Sequence, residues 1–242
     1  NYTWRSDGYL RPELDTLIIY ELHVDDFSAQ GNGQGKFEDV IGRLDHLKSA
    51  GINAIELLPV TDFPGSHSWG YDPHLMSAVE SHYGTPEEFK ELVDEAHIRG
   101  MAVIMDMVWN HIRSSSPVWM IQPDYDLNPY IKLHTELNPN ETEGSWGMLD
   151  WDHFNSHTID YINKVNRIWV EEYRVDGFRF DATRMIISSL DSEFNFNNYF
   201  KTPLIYKNWN LKFQSNFNKS YSKIDWLIDL VSNILSLIHI SE

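Results

Sequence analysis

The chain has 242 residues, of which 42% are hydrophobic and 23% are charged, a composition typical of a folded globular protein. Its 19 basic and 36 acidic residues give a formal net charge of −17, which disfavours nucleic acid and anionic membranes as partners because binding to phosphates requires cationic side chains. The absence of cysteine excludes disulfides, thiolate metal sites and a cysteine nucleophile.

The first part of the chain alternates between strand and helix patterns. A β-prone run over residues 17–24 predicts the first strand. Apolar residues from Phe37 to Leu47 then recur at helical spacing, and Gly51 follows where a left-handed cap would end that helix. Residues 52–60 are nearly continuously apolar, as strands buried on both faces are.

The pattern continues through two further units. The sequence at residues 85–88, Thr-Pro-Glu-Glu, predicts a capped helix start, and a third strand is predicted at residues 101–108. Residues 112–155 lack periodicity and are predicted to be a long loop. A helix over residues 159–170 and a strand over residues 174–181 follow.

This order of elements predicts a parallel sheet, in either a TIM-type (β/α)8 barrel or a doubly wound fold. No glycine-rich phosphate fingerprint follows the first strand, which favours the barrel. A full barrel typically needs about 250 residues, so only its first four βα units are recognisable in this chain.

The composition changes after Ile186. All 13 glycines lie before that residue, and none follows it. We therefore predict a linker or the end of a preceding domain at residues 1–16, the first half of a catalytic barrel at 17–186, and an unrelated tail at 187–242. No continuous apolar run reaches the roughly 18 residues of a membrane span. The chain starts at Asn1 without a signal-peptide pattern, so we expect an interior point of a longer protein, and no compartment is indicated.

Candidate catalytic residues lie at the end of the fourth strand. Alternation along this strand places Arg179 and Asp181 on one face, where the guanidinium would favour the ionised form of the carboxylate. An ionised and oriented carboxylate is suited to be a glycosidase nucleophile. An Arg-x-Asp pair by itself is more often an ordinary ion pair.

Two other segments add candidate binding residues. The loop after the second strand contains Trp69, Tyr71 and Asp72, an aromatic and acidic cluster that suits a sugar ring but taken alone is equally a packed turn. The third strand ends in Asp-Met-Val-Trp-Asn-His at residues 106–111, and a lone His111 is more often a satisfied polar residue than a ligand. Histidine spacings of zinc proteases are absent, so no catalytic metal is expected.

Taken together and in order, these strings resemble the α-amylase family of glycoside hydrolases, family thirteen. Residues 106–111 are similar to the family's Asp-x-x-x-x-His signature, and residues 177–181 to its Gly-x-Arg-x-Asp. Residues 51–60 and 20–24 resemble its second and first strands, the latter as in bacterial amylases and branching enzymes. The resemblance covers residues 17–186 and implies a TIM-type (β/α)8 barrel with an extended loop after the third strand.

The resemblance also implies residue roles. Asp181 would be the nucleophile and Arg179 would orient it, with support from Asp106 and Asn110. The sugar-binding residues that it implies are Tyr71, which would stack on the sugar, and His111. Trp69 and Asp72 remain candidate binding residues from the cluster described above.

The expected activity is retaining hydrolysis of α-1,4-glucans such as starch and glycogen, with an α-glucan as partner and no cofactor required. A branching enzyme or other glucanotransferase is the alternative, because it would use the same nucleophile.

The sequence departs from the family in two respects. The family's acid/base glutamate and stabilising aspartate have no match after Ile186, so a non-catalytic fragment is a further alternative, and we expect the 242-residue chain alone to be inactive. Calcium-dependent members use the asparagine that corresponds to Asn110 together with a histidine at the position of Met185. A calcium site is therefore an open question.

Overall fold

Strands and helices alternate in the computed structural model, which describes residues 2–28, 34–133 and 145–182. The strands are β1 (Ile19–Leu22), β2 (Ala54–Leu57), β3 (Thr61–Asp62), β4 (Leu75–Val79), β5 (Ala102–Met107), β6 (His111–Ile112), β7 (Leu149–Asp150) and β8 (Gly177–Phe180). The helices are α1 (Val24–Ser28), α2 (Phe37–Ile41), α3 (Leu44–Ser49), α4 (Pro86–Ile98), α5 (Pro117–Met120) and α6 (Ser156–Glu171), with 3-10 turns at Leu14–Thr16 and Ser145–Gly147.

The four predicted strands form one parallel sheet in the order β1-β2-β5-β8. Neighbours in this sheet follow one another along the chain, without the reversal of order that marks a doubly wound sheet. The structure therefore confirms a partial parallel α/β sheet.

The two faces of this sheet differ in character. Side chains alternate between the faces, and those on the helix-covered face are apolar and fully buried, with α4 packed against β5. We call the opposite face the polar face, because it bears Glu21, Glu56, Asp106 and Arg179. The apolar residues of the covered face are Ile55, Leu57, Val103, Met105 and Met107.

The predicted helix starts and ends are largely confirmed. Thr85 Oγ1 accepts the Glu88 amide at 3.2 Å and the Glu88 carboxylate accepts the Thr85 amide at 2.6 Å, which is the capping box expected for α4. Gly51 has a φ of +89°, as predicted for a left-handed cap. The single helix predicted from Phe37 is instead two short helices, because Gly42 disfavours a continuous helix between α2 and α3.

The stretch predicted as a long loop, residues 112–155, contains short elements in its described part. Strands β6 and β7 pair antiparallel, and α5 lies between them in sequence. Trp109 packs against Trp151 with ring centroids 5.4 Å apart, and Trp151 stacks on Tyr161 at 5.6 Å. Two-residue strands are too short to produce a periodic pattern, which is why the sequence did not reveal them.

The first residues of the chain pack against α4, since Tyr2, Arg5 and Ser6 all hydrogen-bond the buried carboxylate of Asp94. Residues 1–16 fall in the same unit as the sheet, Asn1–Thr202. The predicted boundary at Ile186 and the tail that follows lie outside the described residues. Within the described ranges, no helix has the length and apolar character needed to cross a membrane.

Candidate active site

The site residues meet at the carboxyl ends of β5 and β8. These strands are neighbours in parallel register, so Asp106 lies directly opposite Arg179. The chain continues past β8 with the Asp181 amide donating to the Met107 carbonyl at 3.2 Å, which extends the pairing by one residue. Parallel strands thus bring the third-strand and fourth-strand motifs to one edge of the sheet.

Arg179 links the two acidic residues of this edge. Its Nη1 donates to Asp106 Oδ2 and to Asp181 Oδ1, both at 2.7 Å. Burial opposes the charge on Arg179, but the nearby Asp106 and Asp181 carboxylates outweigh it and raise the arginine pKa above its ordinary value. The guanidinium is therefore a fixed positive charge between two carboxyl groups.

Asp106 lies beneath this charge and is only 1% exposed. Its Oδ2 also accepts the Tyr71 hydroxyl at 2.8 Å, whereas its Oδ1 has no hydrogen-bond partner among the described residues. Burial raises the pKa of Asp106 to about 6, although Arg179 and Tyr71 act in the opposite direction. Burial and the neighbouring Asp106 raise the pKa of Tyr71, so its hydroxyl remains a donor.

Asp181 differs from Asp106 because its side chain is 21% exposed. Arg179 holds one carboxylate oxygen, and Asn110 Nδ2 lies 3.4 Å from the other. A carboxylate that is oriented by two donors and accessible from solvent can attack an electrophilic carbon. The geometry is consistent with the role that the sequence predicts for Asp181.

The His111 side chain is hydrogen-bonded to the protein backbone. Its Nε2 lies 2.6 Å from the Tyr71 carbonyl oxygen, so Nε2 carries the proton and donates it. Burial lowers the pKa of His111, which favours a neutral ring. Its ring meets Trp146 edge to face at 5.2 Å. The nitrogen that faces Tyr71 therefore positions the loop, and a direct sugar contact from His111 stays a prediction.

The loop after β2 presents the other predicted binding residues. Trp69 is 64% exposed, whereas the Asp72 carboxylate accepts hydrogen bonds from Ser68 and, at 2.8 Å, from Arg113. Gly70 has a φ of +86°, and a side chain there would clash with the Pro59 carbonyl oxygen, so only glycine fits this turn.

Residues that follow β1 contact the start of this loop. His23 Nε2 lies 2.8 Å from the Tyr83 hydroxyl and 3.0 Å from the Ser68 carbonyl oxygen. The buried Asp25 carboxylate is 2.9 Å from His67 Nδ1. These contacts fix the two residues that immediately precede Trp69.

Sequence reasoning missed four residues at or near the site. Arg113 pairs with Asp72, Trp146 contacts His111, His23 fastens the loop, and Glu56 lies on the polar face. Glu56 gave a usable signal, since it is the one charged residue in the apolar run of β2. Trp146 gave none, because it belongs to the aperiodic stretch.

The described residues give no support for a metal site. No group of three or more His, Asp or Glu side chains within the described ranges is placed to hold a metal ion. The amide nitrogen of Asn110 is directed at Asp181. The second position of a calcium site, Met185, lies outside the described residues and has no oxygen ligand to offer in its side chain. Asn110 Oδ1 is buried without a hydrogen-bond partner among the described residues, so the calcium site stays an open question.

Residues 22–132 match the family model described as Alpha amylase, catalytic domain. The chain is 35% identical over 191 residues to a malto-oligosyltrehalose trehalohydrolase of Saccharolobus solfataricus, covering 78% of this chain and 31% of that relative. It is 31% identical over 193 residues to a 1,4-alpha-glucan branching enzyme of Picrophilus torridus, covering 77% and 26%. The chain thus spans about a third or less of the curated relatives that it matches.

Solved structures of a pullulanase and an alpha-amylase also align with this chain. A pullulanase of Paenibacillus barengoltzii, in complex with maltohexaose and alpha-cyclodextrin, aligns with a TM-score of 0.63 at 27% identity, covering 74% of this chain and 33% of that one. An alpha-amylase of Geobacillus thermoleovorans, complexed with acarbose, aligns with a TM-score of 0.59 at 28% identity, covering 72% and 42%. Through this N-terminal part, which carries the motifs at the ends of β5 and β8, the chain belongs to the α-amylase family.

Proposed function

We propose that the protein containing this chain is a retaining glycosidase that acts on α-1,4-glucans and uses Asp181 as its nucleophile. The observation that carries the proposal is the geometry of Asp181, which Arg179 and Asn110 hold at the open edge of the sheet. We further propose that β1, β2, β5 and β8 are the first four strands of a (β/α)8 barrel. Their sequential order in the sheet supports this.

The proposed chemistry begins with attack of the Asp181 carboxylate on the anomeric carbon. The glycosidic bond breaks, a covalent glycosyl ester forms, and the leaving oxygen takes a proton from a second carboxyl group. Water then attacks the ester and returns a proton to that second group. Arg179 contributes by fixing the direction of the attacking oxygen, and Asp106 with Tyr71 fixes Arg179.

The second carboxyl group has no candidate among the described residues. Asp106 is engaged by Arg179 and Tyr71 and is buried, so it acts as a positioning residue in this proposal. Only two glutamates follow Ile186 in the sequence, Glu193 and Glu242. We therefore propose that the 242-residue chain forms the ester only with substrates whose leaving group needs no proton.

The sugar would be held by the loop after β2. Trp69 offers an exposed aromatic face, Tyr71 is anchored by its hydroxyl and its carbonyl, and Asp72 is fixed by Arg113. An exposed aromatic ring beside oriented carboxylates is suited to the apolar face and the hydroxyl groups of a glucose unit. The pullulanase and the alpha-amylase described above were solved with maltohexaose and with acarbose, which supports an α-glucan as the ligand.

Covalent trapping tests the nucleophile directly. A 5-fluoro-α-maltosyl fluoride has a leaving group that needs no proton, and its ring fluorine slows hydrolysis of the ester. We expect the chain to gain the mass of one fluoromaltosyl group, at Asp181 by peptide mapping, and the gain to vanish in Asp181→Asn. Asp126→Asn, an exposed aspartate in the segment after β5, is the matched control and should be labelled normally. Labelling at another residue, or none in a folded chain, would contradict the proposal.

Turnover separates the remaining alternatives. With maltoheptaose, we expect the 242-residue chain to release no reducing sugar. Turnover that Asp181→Asn abolishes would show that this chain supplies an acid/base of its own. New branch points without new reducing ends would identify a glucanotransferase instead of a hydrolase.

A second candidate substrate is malto-oligosyltrehalose. It is favoured by the trehalohydrolase name of the Saccharolobus solfataricus relative, which is 35% identical to this chain. Calorimetric titration with maltopentaosyl trehalose and with maltoheptaose distinguishes the two. Tenfold tighter binding of the trehalose-ended ligand would favour this candidate, and equal binding would favour a general α-glucan site.

A further inference from the structure

The polar face of the sheet contains a buried carboxyl group that the proposed mechanism does not use. Glu56 lies in the middle of β2, where the other three residues are apolar, and it is only 7% exposed. Charged side chains are rarely buried unless they are paired. No hydrogen bond joins the carboxyl group of Glu56 to another residue within the described ranges.

The neighbours of Glu56 on this face are mostly acidic. In the sheet register it lies opposite Glu21 of β1 on one side and Ile104 of β5 on the other. Asp106 is two residues beyond Ile104 and therefore on the same face, next to Arg179 of β8.

The charged groups that face Glu56 are thus Glu21, Asp106 and Arg179, with Asp181 following at the edge. Arg179 is the one cation of this set, and its Nη1 already donates to Asp106 and Asp181.

An ionised Glu56 would add a carboxylate for which the described residues of this face offer no free cation. Burial raises the pKa of Glu56 to about 7, and the charges of Asp106 and Glu21 raise it further than Arg179 lowers it. This direction agrees with the geometry, since a buried carboxyl group without a donor is more stable when it is protonated.

We propose that Glu56 is a positioning residue that stays uncharged while Arg179 holds Asp106 and Asp181, and that its ionisation weakens the hold on Asp181. The uncharged form leaves the guanidinium shared between two carboxylates only. The ionised form repels Asp106 and competes for the same guanidinium, so the orientation of Asp181 becomes sensitive to pH near neutrality. The inference concerns the charge state of this face and does not depend on the proposed glycosidase activity.

Carbon-13 NMR of the 242-residue chain, labelled at the side-chain carboxyl carbons of Glu and Asp, tests the proposal. We expect one Glu resonance to titrate with a midpoint near pH 7 and to be absent in Glu56→Gln. Glu21→Gln removes an exposed glutamate from the same row of the sheet and is the matched control. The resonance should persist in that variant. A spectrum in which no Glu resonance titrates above pH 6 would overturn the proposal.

The Asp181 resonance, assigned from its loss in Asp181→Asn, tests the positioning role. It should show an inflection at the midpoint of Glu56, and this inflection should disappear in Glu56→Gln and return in Glu56→Asp. An Asp181 resonance that does not respond to Glu56 would overturn the positioning role. If Glu56→Gln does not fold, Glu56→Asp still decides the matter. The shorter side chain should change the titration midpoint of the carboxyl group at position 56 and leave the midpoints of the other carboxyl groups unchanged.

The same variants then enter the trapping reaction. The labelling rate of Asp181 should fall at least threefold between pH 6 and pH 8.5 in the wild-type chain. In Glu56→Gln this fall should be absent, and only the change caused by Asp106, whose pKa is about 6, should remain. A complete absence of labelling at every pH would refute the nucleophile assignment, whereas the NMR titration would still decide the role of Glu56. A fall in rate that is equal in both proteins would refute the proposed link to Asp181.

Discussion

Two buried aspartates, one on α4 and one on β5, are surrounded by very different sets of donors. Asp94 on α4 is fully buried, and both of its oxygens accept hydrogen bonds from Tyr2, Arg5 and Ser6. Asp106 on β5 is also buried, but only its Oδ2 has partners among the described residues. One carboxylate is saturated with donors and the other is not.

The pKa values of the two groups move in opposite directions for this reason. Burial alone would raise the pKa of Asp94, but the hydrogen bonds from Ser6, Arg5 and Tyr2 outweigh it, and the pKa falls below the ordinary value. At Asp106, burial exceeds the effects of Arg179 and Tyr71, and the pKa rises to about 6. A saturated carboxylate anchors the chain, whereas an unsaturated one at the carboxyl edge of a parallel sheet is typical of a functional site.

The largest expected effect comes from removing the saturated carboxylate. Asp94→Ala leaves buried donors of the N-terminal segment without an acceptor, and the free energy of unfolding should fall by about 3 kcal/mol or more. Urea denaturation at neutral pH measures this loss. Asp160→Asn on α6 is the control, because its ion pair with Lys164 is exposed, and its unfolding should be indistinguishable from wild type. Equal behaviour of the two variants would show that the N-terminal segment is not anchored.

The second effect is on the pH dependence of stability. Because Asp106 has a raised pKa in the folded state, its stabilising contribution is fully present below pH about 4 and is lost as the pH rises through about 6, an effect of roughly 2–3 kcal/mol. Asp94 has a lowered folded pKa, so its contribution is present above pH about 4 and is lost as the pH falls.

Thermal unfolding between pH 3 and pH 8 separates these two contributions. Asp106→Asn should flatten the decline between pH 4 and pH 6, and Asp94→Asn should flatten the rise below pH 4. The matched change from carboxylate to amide keeps the size of each side chain. Parallel shifts of the whole curve in both variants, without a change of slope, would mean that neither carboxyl group has the pKa direction described above.

The strands and the motifs at the ends of β5 and β8 were accessible from sequence because they depend on short-range patterns. Continuous apolar runs identified β2 and β5, and the Arg-x-Asp alternation correctly placed Arg179 and Asp181 on one face. The Thr85 capping box marked the start of α4 because capping depends on residues only three positions apart.

Contacts between distant segments were not accessible in this way. The contact of Arg5 with Asp94 spans 89 residues, and nothing in the local pattern at either position specifies the other. Residues 112–155 were interpreted as a loop because β6 and β7 have two residues each and are held by the packing of Trp109 on Trp151. Tertiary packing, and not local propensity, determines such elements.

The smallest effect concerns the contacts at the end of β1. Replacing His23 by leucine removes its contacts with Tyr83 and Ser68 and should lower the free energy of unfolding by about 1 kcal/mol. In a chain labelled with 5-fluorotryptophan, the resonance of Trp69, assigned from Trp69→Phe, should shift and broaden, because Ser68 immediately precedes it. Trp109, which is fully buried and packs against Trp151, serves as the internal control.

His23→Gln supplies the comparison that isolates the hydrogen bonds, because the glutamine amide can donate to the Ser68 carbonyl where leucine cannot. It should restore the Trp69 signal at least in part. Equal spectra for His23→Leu and wild type would mean that Asp25 and Gly70 fix the loop without His23. A change at Trp109 as large as that at Trp69 would instead show that His23 supports the sheet as a whole, so that the loop has no separate attachment at the end of β1.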